Sequence, residues 1–182
     1  MKLGKTLYVT DRKAWRAWLK KNHASAKEIW LIYYKKHSGQ PRIPYNDAVE
    51  EALCYGWIDS IVQRIDEDRT AQRFSPRRPK SFLSETNKER ARRLIEAKKM
   101  TRVGLEKIRA QLEQEFVHAK DIVAALKKDP TTWKNFEAFP ESYKRIRVGW
   151  IDAARRRPEI FQQRLRYFLR MTVQNKKFGM VQ

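Results

Sequence analysis

Trp57-Ile58-Asp59-Ser60-Ile61-Val62-Gln63-Arg64-Ile65, then Asp66-Glu67-Asp68, then Arg69-Thr70-Ala71-Gln72-Arg73-Phe74-Ser75 reads as a strand, an acidic turn and a returning strand. The hairpin this predicts decides the fold class, because it makes the sheet largely antiparallel. Upstream, Glu28-Ile29-Trp30-Leu31-Ile32-Tyr33-Tyr34-Lys35-Lys36 is a continuous β-branched and aromatic run. Such a run predicts a third strand with most of both faces covered, broken by Ser38-Gly39-Gln40-Pro41.

Helical periodicity surrounds these strands. Thr10 and Asp11 are capping residues ahead of Ala14, Trp15, Trp18 and Leu19. Asn46 is read as the cap of a second helix, with Ala48, Val49, Ala52, Leu53 and Gly56 on one stripe. Ser75-Pro76-Arg77-Arg78-Pro79 is read as a rigid extended connection. Thr86 and Glu89 form a capping box for a long helix, and Gly104 precedes another. Beyond residue 110 no strand pattern occurs. Helices are predicted at 119–127, from Asp129-Pro130, from Pro140 and from Pro158, the last with Phe161, Leu165, Phe168, Leu169 and Thr172 on one face. The fold class is therefore α+β: a small, mainly antiparallel sheet packed by helices over 1–112, followed by a helical segment over 113–182 expected to pack on it.

The 182 residues include six Trp, seven Tyr and eight Phe, enough for a core without a disulfide or a metal. The single Cys54 excludes an intramolecular disulfide and a multi-cysteine zinc site, and is read as buried and inert. With no apolar leader or spanning run, a cytoplasmic protein without membrane insertion is expected.

Net charge is +20. Two blocks carry nearly all of it: 69–109, with fourteen basic and four acidic residues, and 144–177, with eleven and two. An excess of this kind speaks to an anionic ligand or a polyanion, nucleic acid included. The best local candidate is Arg73, Arg77, Arg78 and Lys80, joined by Ser81, Ser84 and Asn87 ahead of a helix start. Guanidinium forks and free N–H groups bind phosphate or carboxylate there. A second candidate is a pocket formed by Tyr55, Trp57, Asp59 and Phe74, with Arg73 placed across the hairpin to pair with Asp59. That pocket carries the rival reading, a small-molecule enzyme or sensor. A third is a protein partner held by the C-terminal helices.

The three histidines are scattered and the six glycines never cluster, so no metal, cofactor, Walker loop or nucleophile elbow is predicted and a non-catalytic binding protein is favoured. Gly-Trp-Ile-Asp occurs twice, at 56–59 and 149–152, with unlike flanks. Trp57 and Trp150 are read as core anchors.

Glu51-Ala52-Leu53-Cys54-Tyr55-Gly56-Trp57-Ile58-Asp59-Ser60 resembles the YdeI/OmpD-associated, or bacteriocin-protection, family. Gln72-Arg73-Phe74-Ser75-Pro76-Arg77-Arg78 resembles its RF-x-PRR element, and 81–87 its S-x-W-S-x-x-N stretch, with Phe82 and Leu83 where an aromatic is usual. Phe139-Pro140, Tyr143, Gly149-Trp150-Ile151, Ala153-Ala154 and Arg157-Pro158-Glu159 extend the likeness. The resemblance implies a role in resistance to antimicrobial peptides or bacteriocins and names no reaction.

Overall fold

The structure, a computed structural model, describes residues 3–79 and 81–179. The chain divides into two compact units, one of residues 1–82 and 90–112, the other of 83–89 and 113–182.

The first unit holds the sheet. Its strands are β1 (Thr6–Leu7), β2 (Ile29–Tyr34), β3 (Trp57–Arg64) and β4 (Arg69–Pro76), in the spatial order β1-β2-β4-β3. The β3–β4 hairpin forms as its sequence predicts, and β4 also pairs antiparallel with β2. Only the short β1, which no sequence pattern announces, runs parallel to its neighbour β2. A register shift between Asp59 and Val62 bends β3, an edge strand, as β-bulges do.

Period-two alternation puts Ile29, Leu31, Trp57 and Phe74 on one face, and all four are buried. Two helices cover that face, α1 (Arg12–Asn22) and α2 (Tyr45–Cys54). Trp15 of α1 meets Phe74 edge-on at 5.5 Å and donates from Nε1 to the Ala48 carbonyl of α2 at 3.0 Å. Asp11 caps α1 as predicted, accepting from the Ala14 N–H. The residue capping α2 is Pro44, not Asn46, and Asn46 lies inside the first turn.

Helix α3 (Glu85–Glu96) is opened by Ser84, whose Oγ accepts from the Asn87 N–H at 3.3 Å, two residues before the predicted capping box. The extended stretch around Pro76 is partly strand, since β4 runs on through Pro76. Helix α4 (Arg102–Leu112) packs its Gly104 against the end of α2, where a Cβ would stand 2.1 Å from the Cys54 oxygen. No side chain fits there.

The second unit is helical: α5 (Lys120–Lys127), α6 (Pro130–Ala138), α7 (Glu141–Asp152) and α8 (Pro158–Val173), with the first turns of α3. Ile122, Leu126, Phe136, Tyr143, Ile151 and Phe168 are among its core. Asp129 and Pro130 open α6 as predicted, the carboxylate accepting from Thr132 N–H at 2.7 Å. In this unit Lys88 and Glu85 form a buried ion pair at 2.7 Å.

Candidate anion-binding site

The predicted anion-binding residues have different partners and fall in two units. Arg73 is engaged by Glu28, with Nη2 2.6 Å from Oε2. Arg78 is exposed, and its N–H donates to Ser81 Oγ at 3.0 Å. Ser84 and Asn87 belong to the second unit, where they make the α3 cap. Lys80 lies outside the described residues.

Arg77 stands apart. It is 3% exposed, and its Nη2 donates to the carbonyls of Ser81 and Phe82 at 3.2 and 2.8 Å. The backbone continues the sheet edge, Arg77 N–H donating to the Gly56 carbonyl at 2.9 Å, so the loop that follows winds round the guanidinium. Nε and Nη1 are buried and make no hydrogen bond among the described residues. Burial lowers the guanidinium's pKa from its ordinary value, and Asp59 partly opposes that shift. An arginine keeps its proton even so. The result is a fixed buried cation with two unused donors.

Asp59, on β3, gathers the neighbouring polar groups. Its Oδ2 accepts from Tyr45 Oη at 2.8 Å and from Gln72 Nε2 at 3.2 Å. Asp59 also acts electrostatically on Tyr33, whose buried hydroxyl makes no hydrogen bond. Burial first, then the Asp59 charge and hydrogen bond, push the Tyr45 phenol up to about 12. Tyr33 is raised by burial, the Tyr45 phenol and Asp59. Both phenols therefore stay protonated as donors at neutral pH. Arg90, which donates to Asn46 Oδ1 at 2.8 Å, is a further cation acting on Tyr45. Tyr45 is 41% exposed and marks where solvent reaches the cluster.

The expected pairing of Asp59 with Arg73 does not form. Asp59 faces Phe74 in the β3–β4 register, so the adjacent Arg73 points to the opposite face. Tyr55, Trp57 and Phe74 are buried in packing: Tyr55 against His23 and the Arg16 guanidinium, Trp57 edge-on to Trp18, and Phe74 against Trp15. Of the proposed pocket group, only Asp59 belongs to the polar cluster. Sequence reasoning passed over Tyr33, Tyr45, Gln72 and Arg90. One signal was present, since Gln72 is a polar residue at an inward position, two before Phe74 on the same strand face.

Among the described residues, no three His, Cys, Asp or Glu side chains gather as a metal ion requires. His37 has Asp68 at 2.9 Å across the chain. Cys54 is buried, and burial is the first cause that pushes its thiol up to about 11.

Residues 7–107, more than half the chain, match the family described as Domain of unknown function (DUF8412). The chain belongs to the DUF8412 family. Residues 115–175 match a second family, described as Bacteriocin-protection, YdeI or OmpD-Associated. The C-terminal helices of this DUF8412 protein are thus similar to the YdeI/OmpD-associated family, in the region of Tyr143, Gly149-Trp150-Ile151 and Arg157-Pro158-Glu159. The similar stretches at 51–60 and 72–78 fall inside the DUF8412 match instead. No curated protein and no solved structure matches the chain. Among the described residues, no helix is long and apolar enough to cross a membrane.

Proposed function

We propose that this protein is a non-catalytic, cytoplasmic binding protein for a small anionic ligand, with Arg77 as the primary contact. The observation that carries the reading is the excess of buried donors: among the described residues Arg77 Nε and Nη1 and the Tyr33 hydroxyl are without acceptors. Leaving such groups unpaired costs about 1–3 kcal/mol each, and a carboxylate or phosphate supplies acceptors in the matching fork geometry. Asp59 and Tyr45 then select for ligand hydroxyl or amine groups beside the anion. The same carboxylate keeps bare polyanions at a disadvantage.

Several cations of the 69–109 block are already matched, Arg69 by Asp66, Arg73 by Glu28 and Arg102 by Glu106. That favours a small ligand over nucleic acid as the partner. Where bacteriocin or antimicrobial-peptide resistance is concerned, a chain of net charge +20 repels cationic peptides, so its role runs through an anion instead of peptide capture.

Calorimetry against inorganic phosphate, nucleoside monophosphates and di- and tricarboxylates, with chloride as control, tests the reading. Arg77→Lys, which keeps charge but loses the fork, is expected to weaken binding at least tenfold while Arg78→Glu leaves it unchanged. Binding equally insensitive to both substitutions, or equal binding of long DNA with the salt slope of many phosphate contacts, overturns it.

A further inference from the structure

The second unit contains a buried guanidinium of its own. Arg147, on α7, is 7% exposed and its Nε makes no hydrogen bond. Among the described residues no carboxylate contributes to its electrostatic environment; burial lowers its pKa, opposed by the phenols of Tyr143 and Tyr167. Its contacts are rings: Phe178 at 4.5 Å, Tyr143 at 5.3 Å and Trp150 at 6.0 Å.

Phe178 comes from the segment after α8. Its ring meets Tyr167 edge-on at 4.7 Å and Trp150 at 6.0 Å, and its N–H donates to Tyr143 Oη at 3.2 Å. The next residue, Gly179, has φ +78 and passes so close over the guanidinium that a Cβ would lie 2.5 Å from Arg147 Nη2. Residues 174–177, between α8 and Phe178, are exposed. On the same helices Trp150, Ile160, Gln163, Arg164 and Tyr167 line a cavity of about 320 Å³. Arg164 stacks on Trp150 at 4.5 Å and donates from Nη1 to its carbonyl, and among the described residues it has, like Arg147, no carboxylate partner. Burial and the like charge of Arg157 both lower its pKa.

A ring-lined recess flanked by two guanidiniums that no described carboxylate pairs suits one ligand chemistry: a planar ring bearing an oxyanion. We propose that the α7–α8 face binds a small aromatic carboxylate or aryl phosphate, its ring against Trp150 and Tyr167 and its oxyanion on Arg147 and Arg164. Phe178 is the ring the chain itself supplies there, a strap that the ligand displaces. Phe178 satisfies the aromatic half of the site but offers Arg147 no acceptor. An incoming anion supplies both.

Titration calorimetry on the full chain tests this. The probes are indole-3-acetate and phenyl phosphate, with indole and phenol as neutral controls. The anionic probes are expected to bind and the neutral ones to bind weakly; whichever of the carboxylate and phosphate arms is tighter identifies the source. Phe178→Ala is expected to tighten binding by about tenfold, the weakening a site open one-tenth of the time imposes. Arg164→Gln, on a half-exposed position, is expected to weaken it, as is Arg147→Lys if that variant retains the native circular dichroism. Arg77→Lys is expected to leave indole-3-acetate binding unchanged, which separates this site from the one in the first unit. No binding by either wild type or Phe178→Ala overturns the proposal, as does binding indifferent to Arg164→Gln, or a Phe178→Ala variant that binds more weakly.

Discussion

Arg73 donates from Nε and Nη2 to a single oxygen, Oε2 of Glu28, at 2.7 and 2.6 Å. The other oxygen of Glu28 accepts from the Trp30 indole at 3.0 Å. The β2–β4 register sets Arg73 opposite Trp30, so all three groups share the face of the sheet away from Phe74. An arginine that the sequence places beside a candidate carboxylate is thereby committed to structure.

Glu28→Gln is expected to destabilise the protein by about 1 kcal/mol at neutral pH, because partial exposure screens the pair. The Trp30 and Arg73 hydrogen bonds lower the folded pKa of Glu28 below its ordinary value. A carboxylate depressed on folding stabilises above its unfolded value and loses that contribution as pH falls through the folded one. Urea unfolding of both forms at pH 7 and pH 3 checks this: the gap is expected to close at the lower pH.

Glu51 joins α1 to α2 more firmly. It is buried, with Arg12 Nη2 at 2.9 Å and Arg16 Nη1 at 2.7 Å on its two oxygens. Glu51→Gln is expected to cost about 2 kcal/mol, less than a fully buried pair because both guanidiniums are partly exposed. The deficit is expected to persist in molar salt, where a surface pair fades. Denaturant titrations at low and high salt distinguish the two.

Gly104→Ala pushes a methyl into the Cys54 carbonyl, backbone against backbone. A loss of about 3 kcal/mol is expected from overpacking, visible as a large drop in Tm. Gly39→Ala meets open space and only a left-handed φ of +68, so about 1 kcal/mol is expected there. Equal losses at the two sites contradict the contact geometry.

Cys54 is expected to resist a thiol reagent at pH 8 in the native protein and to react promptly once unfolded, since burial both shields the thiol and raises its pKa to about 11. Rapid labelling under native conditions means that the α2–α4 contact opens.

Most elements were legible because each carries its own local signal. The hairpin alternates about an acidic turn, α6 announces itself by Asp129-Pro130, and α8 by Pro158 and the Phe161, Phe168 and Thr172 face. β1 was not, because a two-residue strand has no period and exists only through β2. The candidate site was half legible. Arg77 and Asp59 were named from sequence, but that Arg77 is buried and Arg73 paired follows from strand register. Tyr33 and Tyr45 come from β2 and α2, separated in sequence from both.

The repeated Gly-Trp-Ile-Asp marks the division most sharply. By itself the sequence determined an α+β fold, a strongly basic chain and where most helices begin, since charge, capping chemistry and hydrophobic period are local properties. It did not determine what these four residues become. At 56–59 the glycine takes φ +70 and its companions enter β3, with Trp57 fully buried against helices. At 149–152 the same letters end α7, and Trp150 is left half-exposed under Arg164 and Phe178. Tertiary partners decided it: β4 offers Trp57 and Asp59 a ladder to pair with, while the second copy completes the apolar stripe of a helix.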